Sequence, residues 1–142
     1  MSTLRVSTGT PVVIDSSVAA KWFLVDEPGA DEARRLLLSH AEDEVALIAP
    51  ALLPLEVLNA LIYRGADSDD ARRAVQLLED ADLLVAPLDA WLLQQAVDVA
   101  ADASVTMYDA LFIALAEQLD ATLVTADRRQ ASTERCKVQL VG

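Results

Sequence analysis

The sequence predicts an α/β domain built on a mostly parallel sheet of four to five strands with helices on both faces. Short apolar runs, too hydrophobic to face water, alternate with segments of helix length. Prolines, glycines and acids punctuate the ends of those runs. No internal repeat, low-complexity tract or Gly/Pro/Ser-rich linker divides the 142 residues, which suits one core.

Residues 1–10 are polar and read as a lead-in, leaving 11–142 as the folded unit. Val12–Ile14 is the first strand. It runs into Asp15, and Ser16 or Ser17 offers an N-cap for a short helix, Val18–Leu24. After the break at Asp26-Glu27-Pro28-Gly29, a helix over Ala30–His40 has Ala33, Leu36, Leu37 and His40 at i, i+3, i+4, i+7 spacing. Val45–Ala49 is a second strand, stopped by Pro50. The helix Leu52–Arg64 tolerates Pro54 because it falls in the first turn. That helix is apolar almost all round except for Glu56 and Asn59, which lie three apart and share a face. A helix over Asp69–Glu79, a strand over Leu83–Ala86 ended by Pro87, and a helix over Ala90–Ala101 capped by Asp89 come next. Met107–Leu119, apolar nearly throughout, precedes the strands Thr122–Thr125 and Val138–Val141.

Composition narrows the chemistry. The single cysteine, Cys136, excludes an internal disulfide framework and fits a reducing cytoplasm. With one histidine, His40, a zinc site of clustered His and Cys is excluded, so any metal must be held by oxygen. No apolar run is long enough to span a membrane, and the first ten residues lack the apolar core of a secretory signal. The 23 acids against 11 bases give a net charge of −12, which repels nucleic acid at long range and suits a basic protein partner.

Four acids stand out. Asp15 follows the first strand, where it either caps the next helix or, if Ser16 or Ser17 caps, faces the strand-end crevice. Glu56 sits on so apolar a helix that it needs a cation, a metal or a partner, with a salt bridge to Arg64 or Arg72 as the plainer alternative. Asp109 lies in Thr106-x-x-Asp109, which resembles a capping box, and Asp127 could cap the turn after a strand. Taken together they occupy positions that gather on one edge of a parallel sheet. Four gathered carboxylates repel one another, and a divalent ion removes that penalty.

The stretches Val12-Val13-Ile14-Asp15-Ser16-Ser17-Val18, Pro54-Leu55-Glu56-Val57-Leu58-Asn59-Ala60-Leu61, Tyr108-Asp109-Ala110-Leu111-Phe112-Ile113-Ala114-Leu115-Ala116 and Leu123-Val124-Thr125-Ala126-Asp127 resemble the PIN-domain family, and within it the VapC-type toxin ribonucleases of toxin–antitoxin pairs. The resemblance implies a single PIN-like domain with Asp15, Glu56, Asp109 and Asp127 as catalytic, metal-holding acids for Mg²⁺ or Mn²⁺. It also implies that Ser17 and Thr125 orient ligands or phosphate. The implied activity is metal-dependent hydrolysis of RNA phosphodiester bonds by a cytoplasmic toxin, restrained by a VapB-like antitoxin and commonly a homodimer. A PIN-like module that binds RNA or protein without cutting is the alternative. A receiver-like phosphoacceptor would want a lysine beyond a late strand, whereas Lys137 precedes the last one. A haloacid-type phosphatase would want Asp-x-Asp where Asp15-Ser16-Ser17 stands.

Three surface expectations follow. The basic stretch from Arg128 to Lys137 is read as a candidate substrate rim against an ordinary solvated face. Helices Leu52–Arg64 and Ala30–His40 are candidate walls of an antitoxin groove, and Ala90–Ala101 a candidate self-association helix. Trp22 and Trp91 are expected in the core.

Overall fold

The computed structural model describes residues 7–142, so the first six residues of the expected lead-in lie outside it. The lead-in is shorter than expected at its other end. The first strand, β1 (Thr10–Ile14), already begins at Thr10, whose N–H donates to the Glu44 carbonyl at 3.2 Å. Gly9 makes that approach possible, since a Cβ there would stand 2.5 Å from the Val45 carbonyl carbon.

From β1 the chain enters α1 (Ser16–Ala19), which tightens into a 3-10 turn over Ala20–Trp22 and stops short of the expected Leu24. It continues through α2 (Ala30–Ala41), β2 (Val45–Pro50), α3 (Leu53–Tyr63), α4 (Ser68–Asp80), β3 (Leu84–Ala86), α5 (Ala90–Ala103), α6 (Met107–Leu119), β4 (Thr122–Thr125), α7 (Arg128–Ala131) and β5 (Val138–Leu140). The five strands form one sheet in the order β3-β2-β1-β4-β5, every neighbouring pair parallel. Helices cover both faces. The chain winds outward from β1 to β2 and β3, then returns to place β4 on the other side of β1. That reversal opens a crevice beyond the carboxyl ends of β1 and β4, where open α/β sheets bind ligands.

Burial explains the residue choices. Val13, Ile14, Leu47 and Leu123 are wholly inside, as continuous apolar strands of a two-sided sheet must be. In α6 every residue from Ala110 to Ala116 is buried, and the helix packs on β1, β2 and β4, so its all-round apolarity is used. α3 is different. Leu53, Val57 and Leu61 face the core, but Leu55, Ile62 and Tyr63 are exposed. Trp22 meets its core expectation in part, packing against the interior and donating its indole N–H to the Ala33 carbonyl at 2.8 Å. Trp91 does not. It is 66% exposed on the outer face of α5, where Leu92, Ala96 and Val99 take the core positions instead.

His40, fully buried at the end of α2, ties three elements together. Its Nδ1 accepts from the Leu47 amide of β2 at 3.0 Å, and its Nε2 meets the Asp82 carbonyl before β3 at 3.0 Å. An amide N–H must donate and a carbonyl must accept, so the ring is the neutral Nε2–H tautomer. His40→Leu should strand the Leu47 N–H in the core and lower stability by about 2–4 kcal/mol, read from urea denaturation. A loss below about 0.5 kcal/mol would show the two bonds to be dispensable.

Among the described residues no single helix is long and apolar enough to cross a membrane. α5 and α6 pass such a test only as a pair, with a 112° bend between them.

Candidate functional site

Asp15 ends β1 at the sheet's centre and is 5% exposed, with its backbone N–H donating to the Val124 carbonyl of β4 at 2.9 Å. It caps α1 itself, accepting from the Ser17 amide at 3.3 Å, so the expectation that a serine would cap in its place is wrong. Capping and facing the crevice turn out to be compatible, because the donors converge on one oxygen. Oδ2 also takes the Ser17 hydroxyl, by a short bond, and the Thr125 hydroxyl at 3.1 Å, leaving Oδ1 with no side-chain donor. Burial pushes the Asp15 pKa up, and the hydrogen bonds from Ser17 and Thr125 oppose that only in part.

Glu56 stands in the first turns of α3, half-buried, and accepts the Ser16 hydroxyl at 2.8 Å. No salt bridge to Arg64 or Arg72 forms, since Arg64 pairs with Glu27 and Arg72 with Asp69. Burial raises the Glu56 pKa, the Ser16 bond lowers it, and the charges of Asp15 and Asp109 raise it further. Asp109 occupies the first turn of α6, whose cap is the Thr106 hydroxyl accepting from the Asp109 amide at 3.3 Å. Its pKa is raised by burial, then by Asp15 and Asp127, against weaker opposite pulls from Arg129 and the Thr106 bond. Asp127 caps α7 by accepting from the Arg129 amide at 2.9 Å. Asp127 thus caps a helix while its charge acts on Asp109, which lies in the first turn of α6.

The fold therefore brings the four acids into one electrostatic neighbourhood from positions up to 112 residues apart in sequence (15 and 127). Ser17 and Thr125 join them directly, and the Ser17 hydroxyl also accepts the Ala126 amide at 3.0 Å. Two participants were not legible beforehand. Ser16, by sequence a candidate cap, holds Glu56 instead. Gln130, 1% exposed, bridges Thr125 to the Asp109 carbonyl, and an isolated glutamine on a basic turn gives no pattern by which to find it.

Buried and half-buried carboxylates, with Asp15 and Asp109 raising Glu56 and with Asp15 and Asp127 raising Asp109, are an all-oxygen set of the kind a hard dication relieves. Yet no three Asp, Glu, His or Cys side chains among the described residues stand together at metal-holding distances. What the acids share is electrostatic reach rather than a closed ligand cage. Carboxylate oxygens are the donors a hard dication such as Mg²⁺ takes, one or two of them directly and the rest through its waters. The basic rim is only partly available. Arg135 is committed to Asp102 and Glu117, while Arg128 and Arg129 are exposed beside the acids.

The description "PIN domain" matches residues 12–135 of the chain. Among solved structures, the chain is similar to VapBC2 of Rickettsia felis bound to a promoter DNA fragment, with TM-score 0.73 and 10% identity over 94% of this chain and 100% of that one. It is similar to PAE2754 of Pyrobaculum aerophilum, with TM-score 0.67 and 21% identity over 93% and 85%. It is also similar to VapC20 of Mycobacterium tuberculosis, a sarcin-ricin loop cleaving toxin, with TM-score 0.69 and 17% identity over 85% and 93%. No curated protein sequence matches it.

Proposed function

The chain belongs to the PIN domain family, and on that footing we propose that it is a metal-dependent endoribonuclease of the VapC toxin type, with Asp15, Glu56, Asp109 and Asp127 as its metal-holding, catalytic acids. The observation that carries the reading is that strand ends and helix starts far apart in sequence set buried or half-buried Asp15, Glu56 and Asp109 within electrostatic reach of one another, with Asp15 and Glu56 held by serine hydroxyls. A pocket of negative charge costs stability, and a cation with a phosphodiester beside it accounts for that cost. Mg²⁺ or Mn²⁺, once bound, supplies positive charge for phosphate oxygens and an acidified water.

The chain's own residues do the rest. Asp15, fixed by three donors to Oδ2, leaves Oδ1 for the cation. The Ser16 hydroxyl holds Oε1 of Glu56 in place. A carboxylate oxygen of Glu56 or Asp109 not engaged with the cation would take the proton of the attacking water. Arg128 and Arg129 offer the flanking positive charge that a phosphate needs to approach so acidic a protein. Attack by water does not use the ribose 2′-OH, so the choice of RNA rests on the toxin resemblance.

VapBC complexes among the similar structures support a VapB-like antitoxin as the partner. The exposed Leu55, Ile62 and Tyr63 of α3 and Leu38 of α2 would form its apolar seat. Trp91, Leu93 and Val97, exposed on α5, would support a homodimer.

The test is cleavage of structured RNA with Mg²⁺ or Mn²⁺, repeated with EDTA and with Asp15→Asn. Cutting that stops in both controls supports the reading. Cutting that survives both is a contaminant's, and a clean protein that binds RNA but never cuts is the silent module.

A further inference from the structure

We infer that Gln130 is a positioning residue for the metal pocket, holding the Thr125 hydroxyl when a cation takes over the charge of Asp15; the inference rests on the metal-dependent reading above. The Asp109 backbone carbonyl can only accept, so the Gln130 amide nitrogen, 3.1 Å away, must be the atom facing it. That fixes the amide's orientation and turns Oε1 toward the Thr125 hydroxyl at 3.2 Å. Oε1 can only accept, as can an ionised Asp15 Oδ2 at 3.1 Å. Thr125 already accepts from the Asp127 amide at 3.0 Å. One hydroxyl proton thus faces two acceptors, all of it buried, with Thr125 0% and Gln130 1% exposed.

The arrangement has two states. Without a cation, the negative Asp15 is the stronger acceptor and claims the proton. With a cation on the carboxylate, the charge on Oδ2 is partly spent, and the hydroxyl turns to Gln130. Because the same amide grips the carbonyl of Asp109, the turn of the hydroxyl and the placing of α6 are mechanically joined. A methyl or methylene at either position would break the join without changing the charge of the pocket.

Mn²⁺ binding, followed by the paramagnetic signal of the free ion, tests this independently of cleavage. Gln130→Met and Thr125→Val should each weaken Mn²⁺ binding about tenfold, the size usual for groups that orient metal ligands. The double variant should lose clearly less than the product of the two single losses, because the Thr125–Gln130 bond is counted in both, although each variant also removes bonds of its own. Wild-type affinity in Gln130→Met, or losses that multiply to about a hundredfold in the double variant, would overturn the inference. If Gln130→Met does not fold, the side-chain amide resonance of Gln130 in the unaltered protein decides. It should shift on adding Mg²⁺, and a resonance that ignores Mg²⁺ overturns the inference. Wild type that takes up no Mn²⁺, or Asp15→Asn that takes it up equally well, overturns the metal reading and this inference together.

Discussion

Asp109→Asn should abolish cleavage, by on the order of a thousandfold, while raising the melting temperature of the metal-free protein. The first half follows from removing a carboxylate oxygen that would contact metal or water. The second is less usual, because most substitutions at a helix N-terminus that remove an acid cost stability through the helix dipole, about 0.3–1 kcal/mol. Here the direction of the pKa decides between the two effects. It is raised, with burial and the charges of Asp15 and Asp127 outweighing Arg129 and Thr106. The folded pocket disfavours the charged form, and asparagine supplies a neutral one of the same shape. The cap itself survives, since the Thr106 hydroxyl accepts from the backbone N–H of residue 109. The gain should be at most about 1 kcal/mol for a partly exposed group, roughly 3–5 °C. A variant that melts below wild type in EDTA, or cuts at the wild-type rate, would contradict the assignment.

Metal-free protein should lose stability as the pH rises from about 4 toward neutrality, and a divalent cation should restore it. Asp15, Glu56 and Asp109 all have folded pKa values above their ordinary 3.8 or 4.5. Between the ordinary and the raised value the folded chain binds more protons than the unfolded one, so stability falls with increasing pH across that window. A carboxylate stabilised by a salt bridge would give the opposite slope, as expected for Glu27, lowered by its bonds and charge pairing with Lys21 and Arg64 although burial opposes them. Mg²⁺ at a hundred times its dissociation constant at pH 7 should add about 2.7 kcal/mol, roughly 10 °C in melting temperature. Thermal scans in EDTA and in Mg²⁺ at pH 5 and 7 measure both slopes. No Mg²⁺ response at pH 7 would leave the acids without the partner proposed for them.

The fold was legible because burial on both faces of a parallel sheet writes itself into short apolar runs. The four acids were legible because strand ends and helix starts are where such sheets place polar groups. Three kinds of feature were not. Thr10 joined β1 through Gly9, whose role depends on a close approach to Val45 that no local pattern records. Trp91 and Leu55 face solvent because helix position alone does not say which apolar residue lacks a neighbour. Gln130 acts through two residues on other elements, and only the tertiary structure brings these together. Capping does not exclude a carboxylate from the acid cluster. Asp15 and Asp127 each cap a helix while sharing the pocket, since a carboxylate has two oxygens.

The joint between β1 and β4 bears on when the acid cluster becomes complete. Thr125 reaches Asp15 across 110 positions of chain, so this contact closes a very long loop and should form after the local helices. A half-folded intermediate holding β1, β2 and α3 would carry two acids and no hydrolytic power. Harm to cellular RNA, on the function proposed here, would begin only after the far strand has docked, giving a restraining partner a head start written into topology.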